Sequence, residues 1–221
     1  MFALPSKGRI NVVLSQWLSK LGLTFVNPSA RRYWNSFVGY PNIEVKLMPA
    51  ELIVRALIRG DADFGLTGLD LVSELSLDKG MSGLALYCKY DLCRADVSVL
   101  VPKCWLDFNC LSDLKLLSLL RRVRVSTKYV NLARQFFRVN QLSFLEVFRS
   151  ENVTELEPFS GRSDFVVDIV STGDTVKDNA LKCLRDGVIL NSSLCLFYKL
   201  GFEPSGDALS LIQTLSKLPN L

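Results

Sequence analysis

The stretch Val166–Val176, VVDIVSTGDTV, decides how the chain is read. An apolar run carries one carboxylate, Asp168, and ends in Ser171, Thr172, Gly173, Asp174 and Thr175, which open the helix-period segment TVKDNALKCL. A buried strand running through a short turn into a helix leaves the first helical N–H groups unpaired, and with the helix dipole they attract an anion. Gly173 permits a backbone turn that converges several N–H groups on one phosphate, and the hydroxyls add donors. Asp168, near the carboxyl end of the strand, faces the usual ligand crevice of an α/β sheet, where a carboxylate accepts from two neighbouring sugar hydroxyls. The same residues also read as an N-cap, with Thr172 or Asp174 capping the helix and Asp168 in a surface turn. Asp174 favours that plainer reading, because its charge repels phosphate.

Outward from this junction, short apolar runs alternate with helix-period segments, which is the pattern of an α/β fold. Strands are expected at MFAL, IEVKLM, DFGLT, ALYCKY, DVSVLVP, VRVST, FLEVF, FVVDIV and, as one run, GVILNSSLCLFYK. Helices are expected over Ile10–Lys20, Ala50–Arg59, Leu69–Leu75, Leu111–Arg121, Val130–Val139, Thr175–Leu184 and Ala208–Lys217. The polar segment Lys89–Asp96 suits a crossing between lobes, and a second crossing is placed near Asn179–Leu181. Two crossings make one lobe discontinuous: residues 1–90 with 181–221 form lobe I, and residues 91–180 form lobe II with the candidate phosphate loop. The site is then expected in the cleft between the lobes.

Composition narrows the chemistry. The 221 residues are 49% hydrophobic and 22% charged, enough for a folded core. A net charge of +4 is too mild to indicate nucleic acid, yet it does not repel an anionic substrate. The six cysteines contain no C-x-x-C pair and read as small buried thiols. Histidine is absent, which removes Ser-His-Asp and Cys-His nucleophilic schemes and most catalytic zinc sites. The N-terminal MFALPSKGRI lacks a long apolar segment, and no run reaches the ~20 apolar residues of a membrane span. A cytoplasmic protein with no membrane partner is the expectation.

Three further junctions repeat the chemistry of the first. In LPSKGRI (residues 4–10), Lys7 and Arg9 flank a glycine at a helix start, an arrangement that suits pyrophosphate. In VRVSTKYVNLARQFF, Ser126, Thr127 and Lys128 occupy the turn, and Tyr129 is placed to stack on a base. In GDADFGLTGLDL, Gly65 and Gly68 flank Thr67 at a strand end. Each alone reads as a solvated turn or close packing; together they point to a ligand with several phosphates.

These segments, in this order, resemble ATP phosphoribosyltransferase, the first enzyme of histidine biosynthesis. The resemblance rests on ALPSKGRI, NPSARRY, DFGLTGLDLVSE, VSTKYVNLARQFF, DGVILNSSLCL and above all ELEPFSGRSDFVVDIVSTGDTVKDNALK. In that last block Glu155, Pro158, Gly161, Asp164 and Asp168 fall at the family's spacing before S-T-G-x-T. The resemblance implies two α/β lobes like those of periplasmic binding proteins, and a short form that works with a regulatory subunit resembling histidyl-tRNA synthetase in a hetero-oligomer. It implies attack of ATP, through adenine N1, on phosphoribosyl pyrophosphate (PRPP), with pyrophosphate leaving alongside Mg²⁺ held mainly through substrate phosphates rather than by direct protein ligands. By the same resemblance Ser171, Thr172, Gly173, Asp174 and Thr175 form the 5′-phosphate loop, and Asp168, assisted by Asp164, takes the ribose hydroxyls. Lys7, Arg9 and Arg31 face pyrophosphate, while Thr127, Lys128 and Tyr129 lie on the ATP side. Two departures stand out: Met48 occupies a position where many members carry arginine, and Asp174 replaces a small or neutral residue. The competing readings are a phosphoribosyltransferase of the Rossmann-like class, which wants two adjacent acids where this chain has Asp168-Ile169, and a non-enzymatic anion-binding module.

Overall fold

A computed structural model describes residues 1–26, 33–78, 83–142, 144–151, 153–171, 176 and 178–216. Contacts divide the chain into two units, Met1–Arg94 with Ser193–Leu221, and Ala95–Ser192.

In the first unit, strand alternation assigns side chains to two opposite cores. Strand β1 (Phe2–Pro5) is buried along its whole length, sending Phe2 and Leu4 to one side and Ala3 to the other. It pairs in parallel with β3 (Tyr40–Met48) and β4 (Phe64–Gly68). Strand β11 (Leu194–Lys199) runs antiparallel to β4 and to β5 (Leu84–Lys89), while β2 (Trp34–Phe37) adds an antiparallel edge beside β3. The sheet order is β2-β3-β1-β4-β11-β5. Helix α1 (Gly8–Lys20) buries Ile10, Leu14, Trp17 and Leu18 against one face, together with Leu211, Ile212 and Leu215 of the C-terminal helix (Gly206–Ser216). The opposite face takes α2 (Ala50–Arg59), through Ile53, Val54 and Leu57, and α3 (Leu69–Ser76), through Val72. Helix α2 stops where Gly60 adopts φ 81°, a left-handed cap that glycine reaches without a Cβ penalty. Phe2 and Phe64 stack at 4.6 Å in the middle of this arrangement, and Phe202 stacks on Phe64 at 5.6 Å.

In the second unit the order is β10-β6-β9-β7-β8. Strands β7 (Val123–Thr127) and β8 (Leu145–Arg149) are parallel to each other, and β7 is also parallel to β9 (Phe165–Val170). Strand β6 (Ala95–Pro102) lies antiparallel between β9 and β10 (Leu181–Ser192). Strand β9 is therefore central. Phe165 meets Phe137 of α5 (Val130–Val139) edge-on at 6.1 Å, while Val166 joins Leu100, Val176 and Leu181 on the other face. Helix α4 (Leu111–Leu120) begins at a capping box formed by Cys110 and Asp113, and its Leu111 N–H donates to Asp186 at 2.8 Å.

Two features depart from the sequence reading. The helix expected over Thr175–Leu184 gives way to β10 from Leu181 onward, and the single run GVILNSSLCLFYK is split between β10 and β11. Buried positions fall at Leu181, Leu184 and Gly187, a three-residue spacing that imitates a helix. The cause is a bulge: the pairing of β10 with β6 shifts register between Cys183 and Val188. An added Cβ at Gly187 would sit 3.0 Å from Leu184 Cβ and 3.1 Å from Val99 Cβ, so a larger residue would crowd the bulge. Residues 181–192 consequently belong to the second unit, and the chain returns to the first at Ser193 rather than near Leu181. The chain passes from the first unit to the second after Arg94.

Phe64 is 1% exposed between two stacked rings. Phe64→Ala is expected to lower unfolding free energy by ~3–5 kcal/mol in urea titration; a midpoint unchanged from wild type would contradict the placement of the stack at the centre of the core.

Candidate active site

The register of the second sheet gathers polar side chains on one face. Val166 lies opposite Ser126 on β7 and Leu100 on β6, and Ser126 lies opposite Phe148 on β8. Paired residues share a face and side chains alternate along a strand, so Asp168, Ser126 and Ser98 fall on the same side. Just beyond the last β7–β8 pair, Ser150 N–H donates to Thr127 O at 2.9 Å. The chain then crosses that face as a single 3₁₀ turn, Thr154–Leu156. Side chains three apart eclipse in such a turn. Glu157 is anchored by the Ser150 hydroxyl, which donates to its Oε1 at 3.2 Å, and Thr154 is wholly buried.

Asp168 is 8% exposed near the end of the central strand. Its Oδ1 accepts the N–H of Ile169 at 2.8 Å. Loss of hydration is the main effect on its acidity and pushes the carboxyl up to about 6; Glu155 acts in the same direction. The Ile169 N–H, the Lys128 ammonium and the Thr154 hydroxyl oppose it. Asp168 therefore sits between one acid and one base, with Lys128 exposed and Ser171 exposed just past the strand. A carboxylate with so little hydration has strong demand for donors, and neighbouring hydroxyl groups of a sugar supply them. Glu155 and Thr154 are members of this cluster that strand-and-helix patterning did not single out; the short turn that carries them has no periodicity to betray it.

The third junction behaves differently from expectation at two of its residues. Thr127 is wholly buried, and its hydroxyl accepts the Tyr129 N–H at 2.9 Å, a local turn that shapes the start of α5. Tyr129 is 6% exposed, packed in the core rather than presented for stacking. Lys128 is the member of this triplet that reaches solvent. Asp164 is likewise engaged elsewhere. It accepts the Arg124 N–H at 2.7 Å and pairs with Arg121 at 2.8 Å, tying the starts of β7 and β9 together. Four residues of extended chain, ~13 Å, separate it from Asp168.

In the first unit, Lys7 is exposed in extended backbone at the N-cap of α1, and its side chain caps nothing. Gly8 follows at φ 84°. The turn is held by Ser6 N–H on Met48 O at 2.9 Å and by Asn11 Nδ2 on Pro5 O at 2.8 Å, so a buried Met48 serves this junction through its carbonyl. A recess of about 290 Å³ opens beside Ser6 and Asn11. Arg9 does not face outward beside Lys7: its Nη1 donates to Cys93 O at 2.6 Å and to Arg94 O at 3.3 Å, fixing the last residues before the chain leaves this unit. Arg31, Thr172, Gly173, Asp174 and Thr175 lie outside the described residues.

The weakened acidity of Asp168 carries a consequence for stability. The folded protein holds this proton more tightly than the unfolded chain, so it binds more protons between pH 3.8 and about 6, and stability falls as pH rises through that window. The ionised group costs on the order of 3 kcal/mol above pH 6. Asp168→Asn keeps the oxygen that meets Ile169 and removes the charge. Its melting temperature is expected to exceed wild type at pH 8 and to match it near pH 4; a variant that melts lower at pH 8 would contradict a carboxylate held against its preference.

Comparison with known proteins supplies the context for this geometry. A family model described as ATP phosphoribosyltransferase matches residues 49–216. The chain is 39% identical over 225 residues to ATP phosphoribosyltransferase of Chelativorans sp. (strain BNC1), covering 97% of this chain and 96% of that protein. It is 37% identical over 214 residues to the enzyme of the same name from Agrobacterium fabrum (strain C58 / ATCC 33970), covering 93% of each. Among solved structures, the fold is similar to that in the ATP phosphoribosyl transferase (HisG:HisZ) complex from Thermotoga maritima, with TM-score 0.75 at 19% identity over 98% of this chain and 97% of that one. It is also similar to the substrate binding protein of an amino acid ABC transporter, with TM-score 0.56 at 14% identity over 98% and 90%. The two-sheet α/β architecture is thus of the kind shared with periplasmic binding proteins, as the sequence resemblance implied. With matches of this extent to both the family model and its curated members, the chain belongs to the ATP phosphoribosyltransferase family.

Proposed function

We propose that the chain catalyses the family reaction of the first step of histidine biosynthesis: adenine N1 of ATP attacks the anomeric carbon of PRPP, giving phosphoribosyl-ATP and pyrophosphate. The observation that carries this reading in the molecule is Asp168, a buried and poorly solvated carboxylate set between Glu155 and Lys128 at the end of a central strand. In the proposed complex it accepts from the ribose 2′- and 3′-hydroxyls and fixes the sugar for displacement at C1. Ser171, with Thr172, Gly173 and Thr175, is assigned the 5′-phosphate.

The chemistry asks little of acids and bases, since N1 already offers a lone pair; a chain without histidine is therefore no obstacle. Positive charge developing on the ribose ring is offset by the carboxylates nearby, and negative charge on the leaving pyrophosphate by cations. Lys7 is assigned to pyrophosphate because it is exposed at a helix start and is spent on no cap. Arg9 acts behind it, holding the Cys93–Arg94 carbonyls. Lys128 is proposed to meet substrate phosphate beside the ribose. Mg²⁺ is proposed to enter on the substrates, held mainly through their phosphates. We place the protein in the cytoplasm; no described helix is long and apolar enough to cross a membrane. A histidyl-tRNA-synthetase-like regulatory subunit is the proposed partner, a reading supported by the similarity in fold to the HisG:HisZ complex from Thermotoga maritima.

Pyrophosphate release on mixing the protein with ATP, PRPP and Mg²⁺, with and without that subunit, tests the activity. Tight PRPP binding without release under both conditions would favour an anion-binding module instead. For the leaving-group assignment, Lys7→Ala is expected to weaken product inhibition by pyrophosphate roughly tenfold; inhibition as tight as in wild type would remove Lys7 from that role.

A further inference from the structure

Thr154 is wholly buried, yet its Oγ1 has no hydrogen-bond partner within 3.5 Å. Buried hydroxyls in folded proteins nearly always find a partner, because an unpaired one costs about 1–3 kcal/mol. The turn that carries it packs against β9, and there the hydroxyl lies close enough to Asp168 to stabilise the carboxylate form, whose Oδ1 already accepts the Ile169 N–H. Its position is not free to drift. The 3₁₀ turn closes through Glu157 N–H on Thr154 O at 3.2 Å, and the Glu157 side chain is held by the Ser150 hydroxyl at 3.2 Å. The Glu157 carbonyl in turn accepts Arg162 N–H at 3.2 Å and Ser160 Oγ at 3.0 Å, which locks the segment that follows.

We propose that Thr154 is a positioning residue for Asp168: its buried hydroxyl is the donor that completes the carboxylate's coordination and keeps it an ionised acceptor for the ribose hydroxyls. The assignment of ribose to Asp168 is taken from the functional reading above; the Thr154–Asp168 coupling itself is a property of the protein alone. The charged groups that face Asp168 are Glu155 on the same turn and Lys128 at the end of β7, while its partner across β6 is the neutral Ser98. Of these, Glu155 and Lys128 oppose each other in sign, so an uncharged donor at Thr154 sets the balance.

The substitution Thr154→Val removes the hydroxyl and conserves the shape. Above pH 6 the melting temperature should fall, because the buried carboxylate loses a donor, and the Asp168 titration midpoint should move up by roughly 0.5–1 pH unit. The acid limb of kcat/KM for PRPP should follow it, with KM for PRPP raised roughly 1.5- to 3-fold at pH 6.5 and hardly at all at pH 9. Thr154→Ser should restore the wild-type midpoint, and Thr154→Ala, which asks less of the packing, should report the same upward shift as Val. The midpoint is read directly by ¹³C NMR of the Asp168 carboxyl in the full chain. An unchanged midpoint in both Val and Ala variants overturns the inference, even if activity falls. A wild-type Asp168 resonance that does not respond to PRPP would instead overturn the ribose assignment and leave the coupling measurement intact.

Discussion

A buried carboxylate on a central strand is the constraint around which the second unit is arranged. Asp168 lies on a strand paired on both sides, with β6 and β7, its side chain is nearly closed off from water, and its Oδ1 is taken by the next backbone N–H. In a fold optimised only for stability the position would carry an apolar residue like Val166 or Val167. Holding a charge there makes sense when a ligand supplies the missing donors. The neighbouring residues fit that purpose: Lys128 beyond β7, Glu155 and Thr154 on the turn above, and Ser171 at the exit of the strand.

The first unit solves a different problem. Its strands β1, β4 and most of β11 are buried on both faces, with Phe2 and Leu4 opposite Ala3 and with Leu194 and Leu196 opposite Cys195 and Phe197. Such strands give a stiff floor from which the β1–α1 turn projects Lys7 into solvent. Arg9, one turn position away, is used inward to grip the Cys93 and Arg94 carbonyls, where Cys93 itself adopts φ 53°. Two cations separated by a single glycine thus divide into an outward and an inward role.

Much of this organisation was legible in the sequence because it is written in periodicity. FVVDIV is read as a strand from its apolar run, α2 and α5 from their amphipathic spacing, and the end of α2 from Gly60. What was not legible is tertiary. The bulge at Gly187 gave β10 the spacing of a helix and moved residues 181–192 into the second unit. The strand β2 went unread because its WNSF is half exposed and short. At the site, residue type indicated chemistry but not direction: Tyr129 turned inward, Asp164 joined Arg121 and Arg124, and Arg9 found two carbonyls. Glu155 and Thr154 are brought to Asp168 by a single turn crossing the sheet, a relation that no local pattern encodes.

The central claim, that Asp168 is the ribose-binding group of a phosphoribosyltransferase site, is tested most directly by a crystal structure of the chain with PRPP and Mg²⁺. The account expects the 2′- and 3′-hydroxyls within hydrogen-bond distance of the Asp168 carboxylate, ~2.6–2.8 Å, with Lys128 beside the ligand. PRPP bound with its ribose away from Asp168, and the carboxylate still buried without donors, would contradict it.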